Sequence, residues 1–275
     1  MGTENPNEGG AMSFFINDLK KLCKNRMVLL TFALLFICAI YDPLFMQERF
    51  DIHENPYYWW LFMNTGVGSS VYNTLYWFIP AFLTGLIYFD ERNSSIYGLL
   101  ITRGKRSAYF ASKAISLFLV TFAGLAVVFS DNLILTYALC PETMPIADYM
   151  SPKANSFAYF LFHDSPLKMA FLYVFLHALA LALLAVLNLC LHIVLKIKNK
   201  HIAFIVPPLF MLAINYAIEL TGHSQYSLTI LLQPMAASAS TELLGTNQLI
   251  FTFSFLALSS LICFVAGTIR NRDAL

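Results

Sequence analysis

Six stretches of the chain stay apolar for the length a helix needs to cross a bilayer, and polar or basic segments separate them. They cover residues 27–46, 71–89, 114–139, 169–195, 202–220 and 249–267. A hydrocarbon core about 30 Å thick takes roughly 20 helical residues, so each stretch predicts a membrane-spanning helix. The third and fourth exceed that length and are expected to tilt or to project past the lipid. Pro80 and the pair Pro207–Pro208 lie inside spans. In lipid such breaks are tolerated where neighbouring helices satisfy the carbonyls that proline leaves free.

The segments between the spans have patterns of their own. Residues 13–26, SFFINDLKKLCKNR, place Phe15, Leu19, Leu22 and Cys23 on one helical face and Asp18, Lys20, Lys21, Lys24 and Asn25 on the other. This predicts a basic amphipathic helix in the membrane interface; the plainer alternative is a charged flank. Residues 1–12 are polar, without a cationic region running into an apolar one, and read as a flexible tail rather than a signal peptide. Residues 13–275 then form a single transmembrane domain. The outer loops 41–70 and 140–168 are rich in aromatics and prolines respectively. Residues 221–248 contain YSLTILLQPMAASAS, too short to span, which predicts a re-entrant or outer-surface segment before the sixth span. The fold class expected is all-α and integral to the membrane.

The distribution of charge sets the orientation. Of the 17 Lys and Arg residues, 14 fall in the N-terminal flank, the second-to-third loop, the fourth-to-fifth loop and the C-terminus. The other three, Arg49, Lys153 and Lys168, fall in the alternate loops. Basic residues stay on the cytoplasmic side, so both termini and the loop between the second and third spans are expected in the cytoplasm, in a multi-pass protein of the bacterial plasma membrane. Composition agrees: 58% of the 275 residues are hydrophobic and 12% charged, about half the charge of a soluble domain. A net charge of +1 implies no bulk attraction to nucleic acid. The five cysteines have neither CxxC nor metal-ligand spacing, so no metal site or disulfide framework is expected.

The most polar stretch, FDERNSSIYGLLITRGKRSAYFASK, contains a glycine–lysine–arginine–serine run. A phosphate-binding loop needs four residues between its glycines and a Ser or Thr after the lysine. Here five residues separate Gly98 from Gly104, and Arg106 follows Lys105. No ATP site is therefore expected, and with no HExxH, paired-glutamate or GxS motif, no catalytic residues. Polar groups deep in lipid are site candidates by default. Asn73 and Thr84 in the second span, His177 and Asn188 in the fourth and Asn215 in the fifth are candidates to line a translocation pathway. His177 is able to titrate, although a single His on a helix is more often a hydrogen-bonded packing residue. Asp131, Asn132 and Glu219 fall near the outer ends of spans, where solvation is cheap.

The second span and its loop, FIPAFLTGLIYFDERNSSIYGLLITRGKRSAYFASKAI, resemble the permease subunits of ABC-2 type transporters. The resemblance rests on an acidic–basic pair closing the second span (Glu91, Arg92), then Gly98, Leu99, Leu100, Arg103, Tyr109 and Lys113 before the third. Tyr97–Gly98 stands where the family usually has a Gly–Thr pair. The resemblance implies that Asp90, Glu91, Arg92, Ile96, Gly98, Leu99 and Leu100 form a coupling helix that docks on a separate ABC ATPase subunit. It implies export powered by ATP and magnesium bound on that partner, with no cofactor in this chain. A second copy, or a homologous permease, would complete the pathway. An antimicrobial peptide or other amphipathic molecule is the cargo expected. The alternative is a non-transporting membrane immunity or sensor protein that binds a peptide at its outer loops.

Overall fold

The computed structural model describes residues 8–46, 56, 60–63, 66–84, 91, 106–139, 152–195, 199–234 and 244–270. Among these residues it is all-helical, and the one bridge of β type pairs Ser156 with Leu244. The helices are α1 (Glu8–Lys24), α2 (Arg26–Tyr41), α3 (Val67–Leu75), α4 (Ile79–Thr84), α5 (Arg106–Leu139), α6 (Tyr159–Asp164), α7 (Pro166–Leu195), α8 (Lys200–Leu220), α9 (Leu228–Leu232) and α10 (Thr246–Arg270).

Among the described residues, four helices are long and apolar enough to cross a membrane: α2 with its extension to Phe45, α5, α7 and α10. In α8 the apolar part, Phe204–Leu220, is shorter. The second predicted span is divided. Its helix stops at Leu75, resumes at Ile79 and is described as far as Thr84, with the turn Tyr76–Phe78 between. Pro80 is the physical reason: it has no N–H to give to the Tyr76 carbonyl, and its ring crowds that turn. The ladder adapts, with the Phe78 N–H bonding Leu75 O at 2.8 Å and the Phe82 N–H bonding Phe78 O at 3.0 Å. Helix α5 begins eight residues before the predicted third span, carrying Tyr109 and Lys113 on its first turns. Helix α1 begins at Glu8, ahead of the expected Ser13.

Helix α7 is the centre of the bundle. It packs on α5, α10, α4 and α6, and most of its length is buried. Around it the aromatic side chains Trp60, Phe62, Tyr72, Phe129 and Tyr173 form a fully buried cluster. Helix α1 lies along α5 and touches α2. The outward faces of α2, α8 and α10 expose Leu, Ile and Phe, as a bundle whose solvent is lipid requires.

Asp42 fixes how α2 meets α3. Both its carboxylate oxygens accept backbone N–H groups of the first turn of α3, Gly68 and Ser69, each at 2.8 Å. This satisfies two of the orphan donors of a helix start, where negative charge is favoured. The approach is close: a Cβ on Gly68 would stand 2.2 Å from the Cys38 carbonyl oxygen, and one on Gly66 within 2.4 Å of the Asp42 carboxylate. Gly68→Ala is therefore expected to destabilise the protein by about 1–3 kcal/mol through forced separation of α2 and α3. Unfolding in detergent measures it; an unchanged midpoint would show that the contact yields freely.

Candidate functional site

Three of the residues that carry the resemblance, Glu91, Tyr109 and Lys113, meet at the α1 end of α5. Glu91 accepts a hydrogen bond from the Tyr109 hydroxyl at 2.6 Å and pairs with the Lys113 ammonium at 2.6 Å, both through Oε2. Its Oε1 takes the Lys21 ammonium at 2.8 Å. Lys113, only 5% exposed, also holds Asp18 at 3.1 Å, and the Ser112 hydroxyl donates to the same carboxylate at 2.6 Å. Tyr109 lies beneath the Lys113 ammonium, 4.8 Å from ring centre to nitrogen, and meets Phe14 edge-on. Among the described residues, two carboxylates and two ammonium groups thus form a network that joins α1, α5 and Glu91. Burial in itself pushes the Glu91 carboxyl up, but the charge of Lys113 and the hydrogen bonds from Lys113, Lys21 and Tyr109 outweigh it. The carboxyl is held below the usual carboxylate range.

This corrects the placing of Asp18 on the solvent face of α1. Asp18 is buried and Cys23 is exposed. At about 100° per residue, Asp18 stands only about 40° around the helix from Leu22, so it borders the packed face and finds its cation there. Asp90, Arg92, Ile96, Gly98, Leu99 and Leu100 lie outside the described residues.

The pathway candidates are scattered rather than gathered around one space. His177 is buried and fully engaged. Its Nε2 meets the Leu232 carbonyl at 2.7 Å and its Nδ1 the Tyr72 hydroxyl at 2.7 Å. A carbonyl only accepts, so Nε2 carries the proton and Nδ1 accepts from Tyr72. The ring stacks on Phe62 with centroids 3.6 Å apart. The Thr84 hydroxyl is shared between the Pro80 and Ala185 carbonyls, at 2.7 and 3.1 Å, tying α4 to α7. Asn215 anchors the start of α9: its Nδ2 donates to Glu219 and Thr229, both at 2.9 Å, and its Oδ1 accepts the Leu228 N–H at 2.9 Å. Asn73 leaves its Nδ2 unpaired, and Asn188 is buried with neither Oδ1 nor Nδ2 paired. Each such group costs on the order of 1–3 kcal/mol. Asn188 is thus the candidate whose burial the packing does not explain.

Between α7, α8 and α10 lies a cavity of about 650 Å³. Leu184 and Leu191 of α7, Phe210 and Ile218 of α8, and Phe255 of α10 line it, with Trp77 contributed by the turn between α3 and α4. Thr221, His223 and Tyr226 line its more polar end. Beside that end the Glu219 carboxylate accepts hydrogen bonds from Asn215 at 2.9 Å and from the Ser227 hydroxyl at 2.5 Å.

No protein-family model, curated protein or solved structure matches the chain. What it can do is therefore argued from its own geometry. Among the described residues no group of three or more His, Cys, Asp or Glu is placed to hold a metal ion. The chemistry on offer is recognition and mechanical linkage: a buried ion network at one end, an apolar cavity nearer the other, and an aromatic core between. The sequence pattern pointed to neither the Asp18–Lys113 pair nor the Asp42 cap. A carboxylate one turn from an apolar stripe, and an aspartate two dozen residues before a Gly-x-Gly helix start, are the signals that were present.

Proposed function

We propose that the chain is the membrane subunit of an ATP-driven exporter of the ABC-2 type, without an ATPase site of its own. One observation carries this reading. Glu91, Tyr109 and Lys113 of the permease-like pattern are separated in sequence, yet Tyr109 and Lys113 both meet Glu91 within hydrogen-bonding distance. That contact gives the loop after the second span a mechanical connection. A force applied to residues 90–100 by a docked ATPase reaches α5 through Lys113 and Tyr109, and α1 through Lys21 and Asp18.

The same reading has six spans, with α3, α4 and the residues after Thr84 forming the second and α8 the fifth. Both termini are cytoplasmic, and a second copy or a homologous permease completes the pathway. An amphipathic cargo suits a bundle whose described interior is mostly apolar.

The test is co-purification from the native membrane, with the chain tagged at its C-terminus. An ABC ATPase subunit is expected at one copy per permease, and Gly98→Val is expected to release it without loss of the chain from the membrane. Recovery of the folded chain with no ATPase, in the presence of ATP or of its absence, would overturn the exporter reading in favour of a membrane protein that binds without transporting.

A further inference from the structure

We propose that the cavity between α7, α8 and α10 binds a single-chain cationic amphiphile, its hydrocarbon tail along the apolar lining and its positive head at the polar end lined by Thr221, His223 and Tyr226. This deepens the exporter reading by giving its cargo a chemical class, and it rests on that reading only for which side is outer.

Size comes first. A volume of about 650 Å³ falls within the range of small-molecule sites. The lining runs from Phe210 to Thr221 on α8 and from Phe251 to Cys263 on α10. At about 1.5 Å per residue these are depths of about 16 and 18 Å. One leaflet contributes about half of a 30 Å hydrocarbon core, so the cavity reaches about one leaflet deep. An apolar chain of that length fits it and a compact polar solute does not.

The polarity is graded. The deep part is lined by Leu, Ile, Phe, Met and Cys with a single hydroxyl, Ser259. Polar groups collect at the end lined by Thr221, His223 and Tyr226, and the Glu219 carboxylate lies one hydrogen bond from Asn215 of the lining. Among the described residues no lysine or arginine lines the cavity. The wider field has the same sign. In the six-span reading, with span ends counted alongside the loops they face, the outer side holds ten of the 16 carboxylates and three of the 17 basic residues, a net charge of −7. Such a face concentrates cations and repels anions. A zwitterionic or anionic lipid gains nothing from it, whereas a quaternary ammonium or amine on an alkyl chain gains at both ends.

The experiment uses the full-length chain in nanodiscs of phosphatidylcholine, without an ATPase, so its result is independent of whether an ATPase co-purifies. Two photoactivatable hexadecyl probes are compared, one with a trimethylammonium head and one with a sulfate. The ammonium probe is expected to label residues 210–221 and 251–263 saturably, at about one-tenth the concentration the sulfate needs. Ser259→Trp, which fills the cavity, should abolish that labelling. Ile262→Trp, on the outward face of the same helix at 66% exposure, should leave it unchanged. Glu219→Gln should bring the two probes within about threefold of each other. Raising the salt from about 0.01 to 1 M, which shortens the screening length from about 30 to 3 Å, should do the same without a substitution. Equal saturable labelling by both heads overturns the cationic assignment and leaves an ordinary acyl-chain site. Labelling that does not saturate, or that Ser259→Trp does not change, overturns the site itself.

Discussion

Lys113→Met is expected to destabilise the protein by about 3–5 kcal/mol and to free α1 from α5. The side chain is 5% exposed and, among the described residues, is the one cation paired with Asp18, while it shares Glu91 with the exposed Lys21. Removing it leaves two carboxylates facing one another with Lys21 to balance them. A buried ion network adds little to stability over an apolar replacement, because desolvation offsets the attraction, but losing one partner exposes the whole desolvation cost. The triple variant Asp18→Asn, Lys113→Met, Glu91→Gln is thus expected to recover most of the loss. Lys21→Met, at a side chain 53% exposed, should cost no more than about 1 kcal/mol. Unfolding midpoints in detergent, with proteolysis near Lys24 as the measure of α1 detachment, separate these outcomes. A Lys113→Met protein within about 1 kcal/mol of the parent would mean that the network is solvated and holds nothing together.

The same network sets a dependence on pH. Glu91 titrates lower in the folded protein than in the unfolded chain, where a glutamate has a pKa of about 4.3. Its contribution is therefore fully present above that value and is lost as pH falls through the depressed folded pKa. Acidification below about pH 4 should loosen α1 in the parent and change the Glu91→Gln variant less.

How much of this was legible in the sequence depends on the range of the interaction. Apolar run length marked α2, α5, α7 and α10, because transfer to lipid is a property of each segment alone. It could not show that the run 71–89 is divided at Tyr76–Phe78. Hydropathy reports the solvent and not the continuity of the hydrogen-bond ladder, and Pro80 is compatible with a kink, a bulge or a break. At the candidate site, Glu91, Tyr109 and Lys113 were marked by the family resemblance, but their contact with one another was not. Asp18 was not marked, since its residue type suggested water while its partner lies 95 positions away. His177, Asn215 and Thr84 were found as polar residues in lipid, but their roles depend on Leu232, Leu228 and Ala185, which meet them only in the folded chain. Hydrogen bonds to backbone groups leave no mark on the sequence of the residue that supplies the backbone group.

His177→Ala is expected to cost about 3–5 kcal/mol, comparable to deleting a buried aromatic ring. Three interactions end together: the stack on Phe62 at 3.6 Å, the hydrogen bond from Tyr72 and the bond to Leu232 O. The last one ties α9 to α7, so its loss should also loosen residues 228–232. His177→Phe keeps the ring and its contacts with Phe62, Tyr76 and Phe129 but leaves the Tyr72 hydroxyl and the Leu232 carbonyl unpaired. It should cost less, about 1–3 kcal/mol. Within a membrane the unfolded reference also finds partners for polar groups, and measured couplings average about 0.6 and reach about 1.7 kcal/mol. A double-mutant cycle between Tyr72→Phe and His177→Phe should therefore give a coupling in that range. These values describe a packing residue. If His177→Ala unfolded at the parent's midpoint while transport was lost, the imidazole would be acting on cargo instead, and the aromatic cluster would be the wall of a pathway and not its structural core.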